Sequence, residues 1–210
     1  SRLLSLTFKH APSLWPWGGT LGVAISVTSD ASDFEGLVTG EIRFELEAQG
    51  GLHDGTVSEL IIPLTVRIVP TPPRSKRLLF DQWHSVNYPP AYLPRDNLAV
   101  TDELLDWSGD HLHTNMNDLY MWLRQNGYYV ETLSCPFTCF NASEYGALLL
   151  IDAEAEYQPL EARKLRHDII HNGLSLIVLA DWYNTIVMRS LKFFDENTRS
   201  WWMPVTGGSN

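Results

Sequence analysis

Only two cysteines, Cys135 and Cys139, occur in 210 residues, which excludes a disulfide-stapled mini-fold. Positive charge is scarce as well. Fifteen Lys and Arg stand against 25 Asp and Glu, for a formal net charge of -10, and the single basic run is the short Arg74-Ser-Lys-Arg77. A broad phosphate-binding surface needs concentrated cations, so no nucleic acid is expected as a partner. No apolar run reaches the roughly 18 residues of a spanning helix, and the chain opens at Ser1 without a signal-like stretch. Gly-x-Gly-x-x-Gly, the phosphate loop and the Gly-x-Ser-x-Gly elbow are all missing, so no cofactor is expected and no catalytic residue is assigned.

What is present can build a core. Hydrophobic residues make up 44% of the chain, and Trp, Tyr and Phe number 8 each, which argues against disorder. Segments 3–8, 21–28, 40–47 and 58–69 are rich in β-branched and aromatic residues. In the third, Ile42, Phe44 and Leu46 alternate with Glu41, Arg43, Glu45 and Glu47, the period of a half-buried antiparallel strand. Residues 1–70 therefore read as a β-sandwich-like module, whole or incomplete. Residues 71–75 form a Pro-rich junction, because consecutive prolines neither donate ladder bonds nor enter a helix interior.

From residue 76 the period changes. Strands are expected at 76–81, 128–133, 146–152 and 174–180, the last two buried on both faces because they are apolar throughout. Helices are expected at about 112–126, on the apolar line Met116, Leu119, Tyr120 and Leu123, from Pro159 to Asn172, and at 183–191. Alternating strands and helices imply a parallel α/β domain over 76–210, flavodoxin-like or glutamine-amidotransferase-like, expected to be truncated at its C-terminus.

Three strands end in an acid: Asp81, Asp152 and Asp181. Ligands of open parallel sheets bind beyond the carboxyl ends of the strands, so these aspartates are candidate ligands for a divalent cation in a metal-dependent α/β enzyme. Aspartates at strand ends more often cap helices or bind loop N–H groups. His111 and His113 could face one side of an extended segment as zinc ligands, yet a third ligand is not identifiable, and N-terminal packing of the next helix explains them better. Cys135-Pro-Phe-Thr-Cys139 lacks the two-residue redox spacing; a local disulfide, a bridge elsewhere and two free thiols all remain open. Asn141-Ala-Ser143 is a glycosylation sequon, relevant in a secretory compartment.

Long segments in one order carry a resemblance. Pro70-Thr-Pro-Pro-Arg-Ser-Lys-Arg77, Pro94-Arg-Asp-Asn97, Pro136-Phe-Thr-Cys-Phe140, Asp181-Trp-Tyr-Asn184, Asp195-Glu-Asn-Thr-Arg199 and Trp201-Trp-Met-Pro204 resemble the site-1 protease family of subtilisin-like convertases, in the region after the protease domain. Trp15-Pro-Trp-Gly18 and Ile25-Ser-Val-Thr28 extend the likeness into the first module. The resemblance implies a serine endopeptidase of the Golgi or endoplasmic reticulum lumen that processes membrane-bound transcription factor precursors. Its subtilisin-like catalytic domain is expected upstream in the same chain, and its membrane tether outside this segment. It further implies a glycan at Asn141 and oxidation of Cys139. The segment then reads as a noncatalytic ancillary region, with a freestanding luminal protein-binding module as the alternative.

Overall fold

A computed structural model describes residues 3–11, 13–14, 19, 21–85, 111–113, 115–180, 186, 190, 192–195 and 199–203. It divides into two compact units, Ser1–Lys9 with Gly22–Thr71 and His10–Leu21 with Pro72–Asn210. Most of the expected helix at 183–191, Asp181 and residues 86–110 lie outside the described residues; Ile186 and Ser190, within that expected helix, are helical.

The first unit is built around four strands in two two-stranded sheets, β1 (Leu4–His10) with β2 (Leu21–Val27) and β3 (Gly36–Glu47) with β4 (Val57–Ile68). β3 and β4 run antiparallel from Gly36 opposite Ile68 to Glu47 opposite Val57. Gly50, Gly51 and Gly55 make the turn with positive φ, which L side chains adopt only at a cost. The expected alternation in β3 is present but fades along the strand. Val38 and Ile42 are buried, whereas Leu46 near the turn is exposed. The core of this unit is small: Ala31, Val38 and Ile68, with Leu3, Leu4, Phe34 and Val66 against them.

The second unit contains a four-stranded sheet ordered β6-β5-β7-β8, from β5 (Arg77–Asp81), β6 (Tyr129–Leu133), β7 (Ala147–Ile151) and β8 (Ser175–Leu179). Every pairing is parallel. Helix α1 (Asn117–Gln125) precedes β6 and helix α2 (Pro159–His171) precedes β8. Successive strand residues point to opposite faces. Leu78, Phe80, Ala147, Leu149 and Ile151 accordingly pack with Leu123 of α1, and Leu79, Leu148 and Leu150 pack in a second cluster with Phe137, Leu174 and Leu165 of α2. β7, covered on both faces, is buried at all five positions. A short hairpin, β9 (Phe193–Asp195) with β10 (Ser200–Trp202), follows.

Two expectations are corrected. α1 starts at Asn117 and not at about 112, with Met116 at the N-cap and its N–H bonded to the His111 carbonyl. β8 is exposed at all five positions instead of buried; among the described residues it ends the sheet, with β7 its one partner.

The chain enters this sheet under tight constraint. Arg74, just after the prolines, donates to the carbonyls of Tyr145 at 2.9 Å and Ala142 at 3.3 Å. A Cβ on Gly146 would sit 2.9 Å from the Arg74 carbonyl oxygen and 3.2 Å from Ser75 Cα, both backbone atoms that cannot swing aside. Gly146→Ala is therefore expected to destabilise the second unit by about 1–3 kcal/mol. Gly40→Ala, with nothing within 4 Å of the new carbon, is the control expected to leave the thermal midpoint nearly unchanged.

Candidate functional site: a buried carboxylate–imidazole–carboxylate cluster

The strand order makes β5 the strand whose neighbours lead off in opposite directions, so the sheet's switch point lies between the carboxyl ends of β5 and β7. Asp81 closes β5 there. Its Oδ1 accepts the backbone N–H groups of Trp83 at 3.1 Å and His84 at 3.3 Å, which turns the chain back at once. Its Oδ2 lies 2.8 Å from His84 Nδ1. On the far side of the ring, His84 Nε2 is 3.2 Å from Glu161 Oε1, an ion-pair distance without hydrogen-bond alignment. None of the three residues is more than 2% exposed.

Glu161 is held from its own side. It lies in the first turn of α2, where free N–H groups favour a carboxylate, and its Oε2 accepts from Gln158 N–H at 2.9 Å. Its Oε1 accepts from Phe137 N–H at 2.9 Å. Phe137 and Tyr157 pack against the imidazole with ring centroids 4.6 and 4.5 Å away. The His84 carbonyl takes the N–H groups of Glu154 at 2.6 Å and Ala155 at 3.0 Å, so the loops after β5 and β7 are joined across the switch point.

Burial works against an imidazolium, but the hydrogen bond and charge of Asp81 and the charge of Glu161 outweigh it and hold His84 above its ordinary value of 6.5. Burial also works against the Glu161 carboxylate. The N–H groups of Gln158 and Phe137, with His84, outweigh that and hold it below 4.5. Burial first, then the charges of Asp81 and Glu161, pushes the Tyr157 phenol up to about 12. Burial and the Asp152 charge push Glu154 up to about 7.

This arrangement suits crosslinking better than proton transfer. A general base needs one ring nitrogen facing the group it deprotonates. Here both nitrogens face carboxylates. Ser85, the adjacent hydroxyl, is buried, and its Oγ has no hydrogen-bond partner, His84 included.

Of the two described strand-end aspartates, Asp81 enters the cluster, where His84 and two N–H groups occupy its oxygens. Asp152 follows β7 with φ 47° and donates its N–H to the Leu179 carbonyl at 2.8 Å. Among the described residues no group of three or more His, Cys, Asp and Glu is disposed to hold a metal ion. The rings of His111 and His113 lie 5.4 Å apart, with His113 N–H donating to His111 Nδ1. Cys135 packs against the sheet core and Cys139 is exposed, with no bond between the sulfurs. Burial, then Cys139, pushes the Cys135 thiol up to about 11, far from a reactive thiolate. Asn141 is exposed, and its Oδ1 accepts from Ser143 N–H and Oγ. His84 and Glu161 were not legible as site residues. The available signals were the three-residue spacing of Asp81 and His84 and the Glu two residues after Pro159.

The pH response follows with its sign. A raised His84 value favours the folded state fully below 6.5, and that contribution is lost as pH rises through the raised value. A lowered Glu161 value favours it above 4.5 and is lost as pH falls through the lowered value. Glu154, favoured as the neutral acid, adds to the loss toward about 7. Thermal midpoints are therefore expected to peak in the mildly acidic range. His84→Gln, which leaves two buried carboxylates without a cation, is expected to lower stability by about 3–5 kcal/mol and to flatten the decline above neutrality.

A family profile described as "MBTPS1, fourth GATase-like domain" matches residues 72–210, and one described as "MBTPS1, third Ig-like domain" matches residues 1–71. Membrane-bound transcription factor site-1 protease of Mus musculus is 53% identical over 211 residues, and that of Homo sapiens 52% over 213. Subtilisin-like protease SBT6.1 of Arabidopsis thaliana is 47% identical over 213 residues. Each alignment covers 99% of this chain and 20% of the relative, so the chain spans about one fifth of the length of these relatives. No described helix is long and apolar enough to cross a membrane. Antiparallel strands followed by a helix-covered parallel sheet, the two profile matches and the identity along the whole chain place it in the membrane-bound transcription factor site-1 protease family.

Proposed function

We propose that the chain is a noncatalytic ancillary region of a subtilisin-like serine endopeptidase that processes membrane-bound transcription factor precursors and other secretory-pathway proteins. The observation that carries this reading is the switch point. Where a doubly wound sheet offers a ligand crevice, this one has loop-to-loop hydrogen bonds and an imidazole with both nitrogens facing carboxylates. Peptide hydrolysis would then rest on the serine, histidine and aspartate of a subtilisin-like domain elsewhere in the same polypeptide. The present units would support or orient that domain, or meet clients in the lumen.

The relatives' printed names speak of a membrane-bound protease. We place this segment in the lumen of the Golgi or endoplasmic reticulum, with the tether outside residues 1–210. That compartment permits a glycan on the exposed Asn141 and a bridge involving Cys135 or Cys139. The metal reading draws less support, since the oxygens of Asp81 are already occupied.

A serine-directed fluorophosphonate applied to the full-length protein, followed by peptide mapping, tests this. The label is expected on a serine outside residues 1–210, and the same map is expected to carry a glycan on Asn141. Label on a serine within the segment, or an active full-length protein that takes no label, contradicts the reading.

A further inference from the structure

The two edges of the parallel sheet differ in kind. β6 carries Glu131, which pairs with Arg77 at 2.9 Å and accepts the Tyr145 hydroxyl at 2.8 Å. A charged, engaged side chain discourages further strand pairing. β8 reads Ser-Leu-Ile-Val-Leu and has no charge at all. Leu176, Ile177, Val178 and Leu179 are between 36% and 54% exposed, on both faces of the strand. Among the described residues β8 pairs only with β7, and β9 and β10 pair only with each other.

An apolar groove of about 400 Å³ lies on the α2 side of the sheet. Leu150, Leu165, Ile169 and Ile170 line it together with Phe137 and Tyr157. Leu150 is the register partner of Val178, so Val178 and Leu176 share this face with the groove. Ile170 is exposed as well.

Topology says what would cover both. β5 crosses through α1 to β6 on one side, and β7 crosses through α2 to β8 on the other, with the two helices on opposite faces. Right-handed crossovers have that arrangement. A further right-handed step outward from β8 must therefore carry its helix over the α2 face, beside α2. The parallel strand it delivers would pair with the free edge of β8.

We infer that β8 is the docking edge for one more parallel strand of the same polypeptide, from beyond residue 210, with a crossover helix seated in the groove beside α2. The inference rests on the reading of this chain as one part of a longer protease. The alignments take in 20% of each relative, so most of the length of such a protein lies outside residues 1–210. A client strand or a second copy could satisfy the same edge, but neither accounts for a groove on the face that the next crossover must use.

Hydrogen exchange on the full-length protein, compared with the same protein stopped after residue 210, tests the inference. The amides of residues 175–179 are expected to exchange as slowly as those of β7 in the full-length monomer, and to shift to fast exchange in the shortened chain. Val178→Lys is expected to lower the thermal midpoint of the full-length protein while leaving that of the shortened chain in place. Fast exchange in the full-length protein overturns the inference. So does protection that survives the truncation, or protection that grows with protein concentration or requires a co-purified partner. None of these readouts depends on where a serine probe reacts, so the ancillary-region reading and the docking edge fail separately.

Discussion

The second unit depends on one constraint: a buried imidazole must keep both of its carboxylates. Asp81 ends a central strand, Glu161 lies in the first turn of a helix on one face, and His84 lies between them, 2.8 Å from the first carboxylate and 3.2 Å from the second. Phe137 and Tyr157 exclude water from the ring and strengthen both attractions, while making the loss of any one member costly. Because the His84 carbonyl also takes two N–H groups from the loop after β7, the same residue ties the end of β5 to the whole stretch from that loop into α2. The cluster occupies the place where this topology usually binds a ligand, and it uses that place for cohesion.

Much of this architecture was legible in the residues. The uninterrupted apolar run at 146–152 reads as a doubly covered strand, and β7 is one. The prolines at 70–73 mark a change of period from alternating strands to strand-helix alternation, and Pro159 marks the start of α2. The resemblance to site-1 proteases lay in long segments, which is why it agrees with the profile matches. The cluster was less legible. Asp81 was singled out from its strand-end position, but His84 lies in an aperiodic stretch and Glu161 reads as an ordinary first-turn helix acid, 77 residues apart in sequence. Such a contact is set by packing order, which no local pattern encodes. β8 differs from expectation for a related reason: an apolar run does not report whether its strand lies inside a sheet or, as among the described residues here, at its end.

The first unit gives the same lesson in a β fold. Its strands have the expected composition, yet Leu60, Ile61 and Ile62 of β4 remain exposed, and the buried core gathers around Ala31, Val38 and Ile68. An Ig-like module normally closes two sheets over a shared interior. Among the described residues the four strands form two separate pairs.

We propose that the His84 cluster holds the region together and leaves bond cleavage to residues elsewhere in the polypeptide. The most direct measurement is kcat per titrated active site for the full-length protease carrying Glu161→Gln, beside its thermal midpoint. The account predicts fewer folded molecules and a lower midpoint, with unchanged turnover in each active site that remains. A fall in turnover per site with the midpoint intact would contradict it.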